Sequence, residues 1–149
     1  MAVNIKLALR AVQGVLTLTI LILSSYVANW YYSATITIPP PPVGFMVAVP
    51  VLSILSLAYL EAAPRFAPKA AHPHAMFIVE ALNALFYFAG FIALAVFLGK
   101  LRFCRGSVCE AAKANAGLSA VQFLVWGATA GLCGMGLFKG ASFKKDAVK

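Results

Sequence analysis

Four long apolar stretches make up most of this 149-residue chain and decide what it can fold into. A helix needs about 20 mostly apolar residues to cross roughly 30 Å of hydrocarbon. Each stretch is near that length, and the segments between the stretches are short. They cover approximately residues 9–32, 45–62, 75–99 and 116–138. The sequence therefore predicts one all-α integral membrane four-helix bundle over residues 1–149, with no second domain.

The overall composition excludes an ordinary water-soluble domain. The chain is 62% hydrophobic and 11% charged, whereas a soluble domain is nearer half apolar and a quarter charged. Four helices this apolar would expose large apolar surfaces in water. We therefore expect membrane lipids as partners and no nucleic acid.

The net charge of +8 is distributed unevenly between the two sides of the predicted bundle. Eight basic residues flank the spans on the side of the termini: Lys6, Arg10, Arg65, Lys69, Lys139, Lys144, Lys145 and Lys149. Four lie on the other side: Lys100, Arg102, Arg105 and Lys113. The positive-inside rule predicts that both termini are cytosolic.

The connection after the first span combines aromatic residues with a run of prolines. Trp30, Tyr31 and Tyr32 match the interfacial belt, in which amphipathic rings lie at headgroup level. Residues 33–38 alternate like a short strand, and the four prolines 39–42 favour a stiff, non-helical polyproline segment. We expect a short, rigid hairpin that acts as a spacer, with proline-rich recognition as the alternative.

The second span ends in a proline-rich connection. Glu61 and Pro64 are expected to close the helix, with a loop over residues 62–75. His72 and His74 flank a proline in this loop. No cysteine or carboxylate lies at ligand spacing from them, so a plain loop is favoured over a metal pair.

The third span contains an acid and an amide one turn apart. Glu80 and Asn83 share a helix face at a spacing of three residues, and an ionisable residue in a span usually faces the bundle interior with a partner. Arg10 and Gln13 lie at similar depth in the first span. These four residues predict a structural polar cluster joining the first and third helices. A proton or ion relay through Glu80 is the alternative.

The fourth span is rich in glycine. Gly127 and Gly131 form a G-xxx-G pair and Gly136 begins a second, a spacing that lets helix backbones approach closely in lipid. Packing within the bundle and self-association between copies both remain open. Gln122 and Trp126 share one face and are expected to be packing residues, with contact to a lipid or a neighbour as the alternative.

The three cysteines fall into two groups. Cys104 and Cys109 lie in the predicted outer loop, where a disulfide is expected because that side is oxidising. Cys133 lies within the fourth span and is expected to be a small buried residue.

The sequence shows no cluster of residues suited to catalysis. The four acids are Glu61, Glu80, Glu110 and Asp146, and they do not combine with histidine, serine or cysteine at one depth. We expect no enzyme activity, no metal and no cofactor, although a bound sterol, phospholipid or sphingolipid is compatible with such a bundle.

Residues 9–14, the segment 80–96 and the outer loop with its cysteine pair together resemble the fungal MARVEL-like four-helix family. Within that family the chain resembles the non-classical export protein two group. The resemblance covers nearly the whole chain, although the proline-run hairpin differs and we do not expect the long cytosolic tail that is usual in that group.

The resemblance implies a non-catalytic plasma-membrane organiser that is linked to sterol- and sphingolipid-rich microdomains. It would make the polar cluster a structural signature and the glycine face a candidate self-association surface, with a homo-oligomer as the expected assembly. Two other functions remain open. One is an accessory subunit of a larger membrane pump or transporter, and the other is a small proton or solute pathway.

Overall fold

The computed structural model describes residues 2–35, 38–100 and 106–147. Four helices account for almost all of them: α1 Ala2–Trp30, α2 Pro41–Phe66, α3 Pro73–Lys100 and α4 Ser107–Ala147. One π-helical turn, Tyr31–Thr35, continues α1. Each helix is long and apolar enough to cross a membrane. The predicted all-α, four-helix membrane bundle is confirmed.

The helices form a closed ring in chain order. Each helix packs against the next, and α4 packs against α1. Within the described ranges, the backbones of the diagonal pairs α1–α3 and α2–α4 do not approach each other. Lys6 of α1 and Gly140 of α4 line one cavity, so α1 begins where α4 ends. We call this the terminal end and the opposite one the distal end.

The helices are longer than the predicted spans. Those spans lie within the helices and the π turn, but α4 alone has 41 residues. At 1.5 Å per residue it is about 60 Å long, roughly twice the thickness of the hydrocarbon. Part of α4 therefore extends beyond the membrane-spanning region.

The proline run starts α2, which corrects the prediction that residues 39–42 cannot be helical. Pro41 and Pro42 are the first helical residues, and Pro40 precedes them in a polyproline conformation with φ −55° and ψ 148°. The N–H groups of the first helical turn have no acceptor within the helix, so proline loses no hydrogen bond there. The φ angle of proline also suits a helix. Two prolines therefore fit where an extended spacer was expected.

Two further local predictions were wrong. The strand expected over residues 33–38 is not formed where the structure describes it, because Tyr31–Thr35 make a π-helical turn; residues 36 and 37 lie outside the described residues. Helix α2 continues through Pro64 to Phe66 instead of closing before it. Proline removes one helical hydrogen bond, and a loss so near the helix end is tolerated.

Large apolar side chains cover the outside of the bundle on all four helices. Val15 is 65% exposed, Leu55 62%, Leu85 57% and Leu124 66%. Such a surface is unfavourable in water and suits a lipid environment. The exterior of the bundle is therefore the part that meets the membrane.

The apolar core is centred on Met46, Tyr87 and Trp126, each at most 1% exposed. Gly90 lets α2 approach α3, because a Cβ atom there would lie 2.5 Å from the sulfur of Met46. Gly134 is similarly close to Phe77, at 3.1 Å. The close helix contacts thus use glycines other than those predicted for packing.

Candidate functional site

Polar side chains face each other between α1 and α4. Seven of them, each at most 7% exposed, form what we call the polar seam: Gln13, Thr17, Ser24, Asn115, Ser119, Gln122 and Thr129. They recur at spacings of three, four or seven residues, which places them on one face of each helix. An unpaired polar group is costly in hydrocarbon, so these side chains turn towards one another.

The half of the seam nearer the terminal end is joined by amide side chains. The Gln122 amide donates to Thr17 Oγ1 at 2.8 Å and to the Gln13 backbone carbonyl at 3.1 Å. The Gln13 amide donates to Thr129 Oγ1, also at 3.1 Å. Gln122, predicted to be a packing residue or a lipid contact, is fully buried and holds α4 against α1.

The half nearer the distal end uses a second amide. Asn115 donates to Ser24 Oγ at 2.7 Å, and the Ser119 hydroxyl donates to the Asn115 side-chain carbonyl at 3.3 Å. Beyond them, the hydroxyls of Tyr26 and Ser107 lie 3.0 Å apart. The polar contacts between α1 and α4 therefore continue to the distal end.

Arg10 lies at the centre of an ionic cluster near the terminal end. It bonds to Glu80 across the diagonal of the ring, and to Gln13 Oε1 at 3.1 Å. Its Nε also lies 3.9 Å from a carboxylate oxygen of Glu61, and its guanidinium lies 5.9 Å from the centre of the Trp126 ring. The structure thus brings together three of the four predicted cluster residues and adds two that were not predicted there.

Asn83 does not join that cluster. Its amide donates to the Val79 carbonyl, and its side-chain oxygen accepts a bond from Ser53, each at 2.8 Å. Asn83 therefore links α3 to α2, whereas Glu80 one turn away links α3 to α1. The similar depth of the four residues predicted a single cluster. Asn83 instead bonds to Ser53 of α2, so it is separated from the other three residues.

Four buried polar atoms have no hydrogen-bond partner among the described residues. They are Glu80 Oε2, Tyr87 OH, Gln122 Oε1 and Trp126 Nε1. Three of these residues belong to the ionic cluster or to the polar seam, so the polar interior retains unused donor and acceptor capacity. Glu80 Oε2 differs from the other three atoms, because the second oxygen of the same carboxyl group is bound by Arg10.

The three predicted packing glycines do not pack inside the bundle. A Cβ atom added at Gly127, Gly131 or Gly136 would meet nothing within 4 Å. Gly131 and Gly136 are exposed and Gly127 is half-buried. Packing within the bundle, one of the two alternatives, is therefore wrong for these positions.

The predicted aromatic belt lies at the distal end. Trp30 ends α1, and Tyr31 and Tyr32 begin the π turn. The rings of Trp30 and Tyr31 contact edge to face at 5.1 Å, and Tyr32 is 62% exposed. The rings are placed where an interfacial belt requires them, and that role stays a prediction.

The cysteines and histidines form no metal site within the part of the chain that the structure describes. Cys109 is buried in the first turns of α4, while Cys104 lies outside the described residues, so their pairing stays a prediction. Cys133 is a free, half-buried thiol. The His72 and His74 rings lie 5.4 Å apart.

The fold and the polar interior define a class of protein: a membrane-spanning four-helix bundle with an apolar exterior and hydrogen-bonded helices. Residues 2–132 match the MARVEL membrane-associating domain. The chain belongs to the MARVEL family. No curated protein and no solved structure gave a significant match.

The seam could have been found from the sequence. Polar residues at positions 13, 17 and 24 of α1, and at 115, 119, 122 and 129 of α4, follow a heptad-like spacing. That spacing is typical of residues facing a neighbouring helix. No sequence pattern indicated that Trp126 lies beside Arg10 in the interior, because an aromatic residue in a span is equally compatible with contact to lipid.

Proposed function

We propose that this protein is a non-catalytic organiser of the plasma membrane, which associates with copies of itself and with lipid in sterol- or sphingolipid-rich microdomains. One observation carries the proposal: polar side chains turn towards each other in the interior, while large apolar side chains cover the outside. Only short connections separate the helices. The lateral apolar surface is therefore the largest surface available to partners.

Family membership supports the same role, since the matching domain is described as membrane-associating. The resemblance of residues 9–14 and 80–96 to the non-classical export protein two group favours a fungal plasma-membrane protein within that family. The ionic cluster of Arg10, Gln13 and Glu80 acts in this proposal as a clamp on the helices.

The proposed orientation places the terminal end in the cytosol. Among the exposed basic residues, Lys6, Arg65 and Lys139 flank the helices at that end, and a bias of basic residues favours the cytosolic side. The distal end then faces an oxidising compartment, which is the environment in which Cys104 and Cys109 would form a disulfide.

The proposed self-association surface is the part of α4 that carries Gly127, Gly131 and Gly136. A Cβ atom added at any of these glycines would meet nothing of the same copy within 4 Å. Gly127 and Gly131 lie four residues apart, a spacing that Gly136 and Gly140 repeat, and small residues at this spacing let a second helix approach the backbone in lipid.

Native mass spectrometry of the protein extracted directly into lipid discs tests this proposal. We expect a homo-oligomer that retains sterol or sphingolipid, and a monomer when Gly127→Leu and Gly131→Leu are combined. Ala95→Leu is the matched control, because Ala95 is an exposed small residue on α3. That variant should remain oligomeric.

A wild-type monomer would contradict the proposed self-association. A one-to-one complex with a larger membrane protein would instead support the accessory-subunit alternative. An unchanged oligomer in the double glycine variant would move the contact surface away from α4.

A further inference from the structure

A cleft at the terminal end is formed by two cavities that share residues. The inner cavity, of about 260 Å³, is lined by all four helices and has Arg10 and Glu80 in its wall. The outer cavity, of about 520 Å³, lies along the last turns of α4. Lys6, Leu132 and Cys133 line both. The two cavities are therefore adjacent, and together they fall in the size range of ligand sites.

The cleft opens sideways as well as at the end of the bundle. Leu7 of α1 and Leu132 of α4 line the inner cavity and are 58% and 41% exposed. Exposed side chains in the wall of a cavity mark an opening between their helices. Lys6, immediately before Leu7, is the first basic residue of the chain. Because basic residues flank membrane spans, the opening lies near the boundary between the hydrocarbon and the headgroups.

Among the residues that the structure describes, one cation of the cleft has no counter-charge. Arg10 is bound by Glu80 and Gln13, and Arg65 lies 3.4 Å from Glu61. Lys6 makes no hydrogen bond or ion pair to any residue that the structure describes. A lysine ammonium of this kind is suited to a phosphate group.

The same cleft also contains carboxylate oxygens that are unpartnered or only weakly paired. Glu80 Oε2 is unpartnered, and the side chain of Glu80 is only 4% exposed. Glu61 is 44% exposed, and its contacts to arginine are long, at 3.4 and 3.9 Å. A ligand that brings only a phosphate leaves these acceptors unused, whereas a primary ammonium supplies three donors.

We propose that this cleft binds the headgroup of an aminophospholipid, with the phosphate at Lys6 and the primary ammonium directed to Glu61 and, deeper in the inner cavity, to Glu80. The inference deepens the proposed function and rests on it, because it names the lipid class that a membrane organiser of this fold selects. A choline headgroup has no N–H donor and a glycerol headgroup has no positive charge, so both are discriminated against.

The test titrates three lipids with identical acyl chains, phosphatidylethanolamine, phosphatidylcholine and phosphatidylglycerol, into the full-length protein in detergent. Native mass spectrometry measures the bound lipid. We expect phosphatidylethanolamine to bind about tenfold more tightly than either of the others, the order of one charge-assisted hydrogen-bond pair. Equal binding of either competitor would overturn the proposal.

Two variants locate the preference in the cleft. Glu61→Gln should reduce phosphatidylethanolamine binding to the level of phosphatidylcholine, whereas Lys6→Gln, which removes the phosphate contact common to the three lipids, should weaken the binding of all three. Lys6 is exposed and without a bonded partner, so its replacement leaves the fold undisturbed. Lys113→Gln, at the distal end, is the matched control and should retain the preference. A preference that survives in Glu61→Gln, lipid binding that is unchanged in Lys6→Gln, or a preference that disappears in Lys113→Gln would overturn the assignment to this cleft.

The outcome is separable from that of the proposed function. A chain that forms oligomers but shows no preference among the three lipids overturns this inference alone. A monomeric chain that prefers phosphatidylethanolamine overturns self-association and leaves the cleft assignment standing.

Discussion

Arg10 joins all four helices through one guanidinium group. It belongs to α1 and reaches Glu80 of α3, Glu61 of α2 and the Trp126 ring of α4. The backbones of α1 and α3 do not approach each other within the described ranges, and the ion pair with Glu80 connects these two helices across the ring. Removing one member of a buried pair leaves the other charge uncompensated, which costs far more than removing both.

A double-mutant cycle measures that difference. We expect Arg10→Leu and Glu80→Leu each to lower the free energy of unfolding by about 3 kcal/mol, and the double variant to lie within about 1 kcal/mol of wild type. Equilibrium unfolding in mixed micelles, followed by circular dichroism, gives the three values. Additive losses in the double variant would show that the pair does not act as a clamp.

At the scale of the helices, the polar seam fixes how α1 lies against α4. The hydrogen bonds between these two helices extend from the Gln13–Thr129 pair near the terminal end to the Ser24–Asn115 pair near the distal end. Lipid tails are as apolar as leucine, so apolar side chains do not by themselves determine helix register in a membrane. Matched amides and hydroxyls do, because a shifted register would leave them unpaired in a region without water.

Two threonines of α1 provide a matched comparison for this argument. Thr17 and Thr19 each donate to the backbone carbonyl four residues earlier, at 2.6 and 2.9 Å, but only Thr17 Oγ1 also accepts a bond from Gln122. We expect Thr17→Val to lower the free energy of unfolding by about 1 kcal/mol, typical of an interhelical hydrogen bond in lipid. Thr19→Val should leave it unchanged. Equal effects of the two substitutions would contradict the role of the seam.

The same threonines show why the sequence predicted the helices but not all of their contacts. Hydropathy predicts the number and class of the helices because the bilayer sets their length. Thr19 and Ser56 satisfy their hydroxyls within their own helix, so a hydroxyl residue in a span need not face a neighbour. The rotation of α2 that brings Ser53 to Asn83 depends on packing between helices, which local spacing does not determine.

At the scale of the whole molecule, burial and charge are arranged along two different directions. Across the bundle, polar residues lie inside and apolar residues outside; along it, the basic residues are more numerous at the terminal end. The first arrangement is that of an integral membrane protein, and the second predicts its orientation by the positive-inside rule. Both the lipid cleft and the proposed organiser role depend on the orientation, because it decides which leaflet surrounds Lys6.

The orientation predicts opposite accessibility for two exposed lysines of α4. Lys113 lies near the distal end and Lys139 near the terminal end, and both side chains are exposed. In a variant without native cysteines, a membrane-impermeant maleimide should label Lys113→Cys on intact cells and Lys139→Cys only after permeabilisation. The basic residues favour this result by eight to four, since positive flanks are retained in the cytosol. The reverse pattern would place the cleft in the opposite leaflet, and labelling of both positions on intact cells would mean that the chain inserts in two orientations.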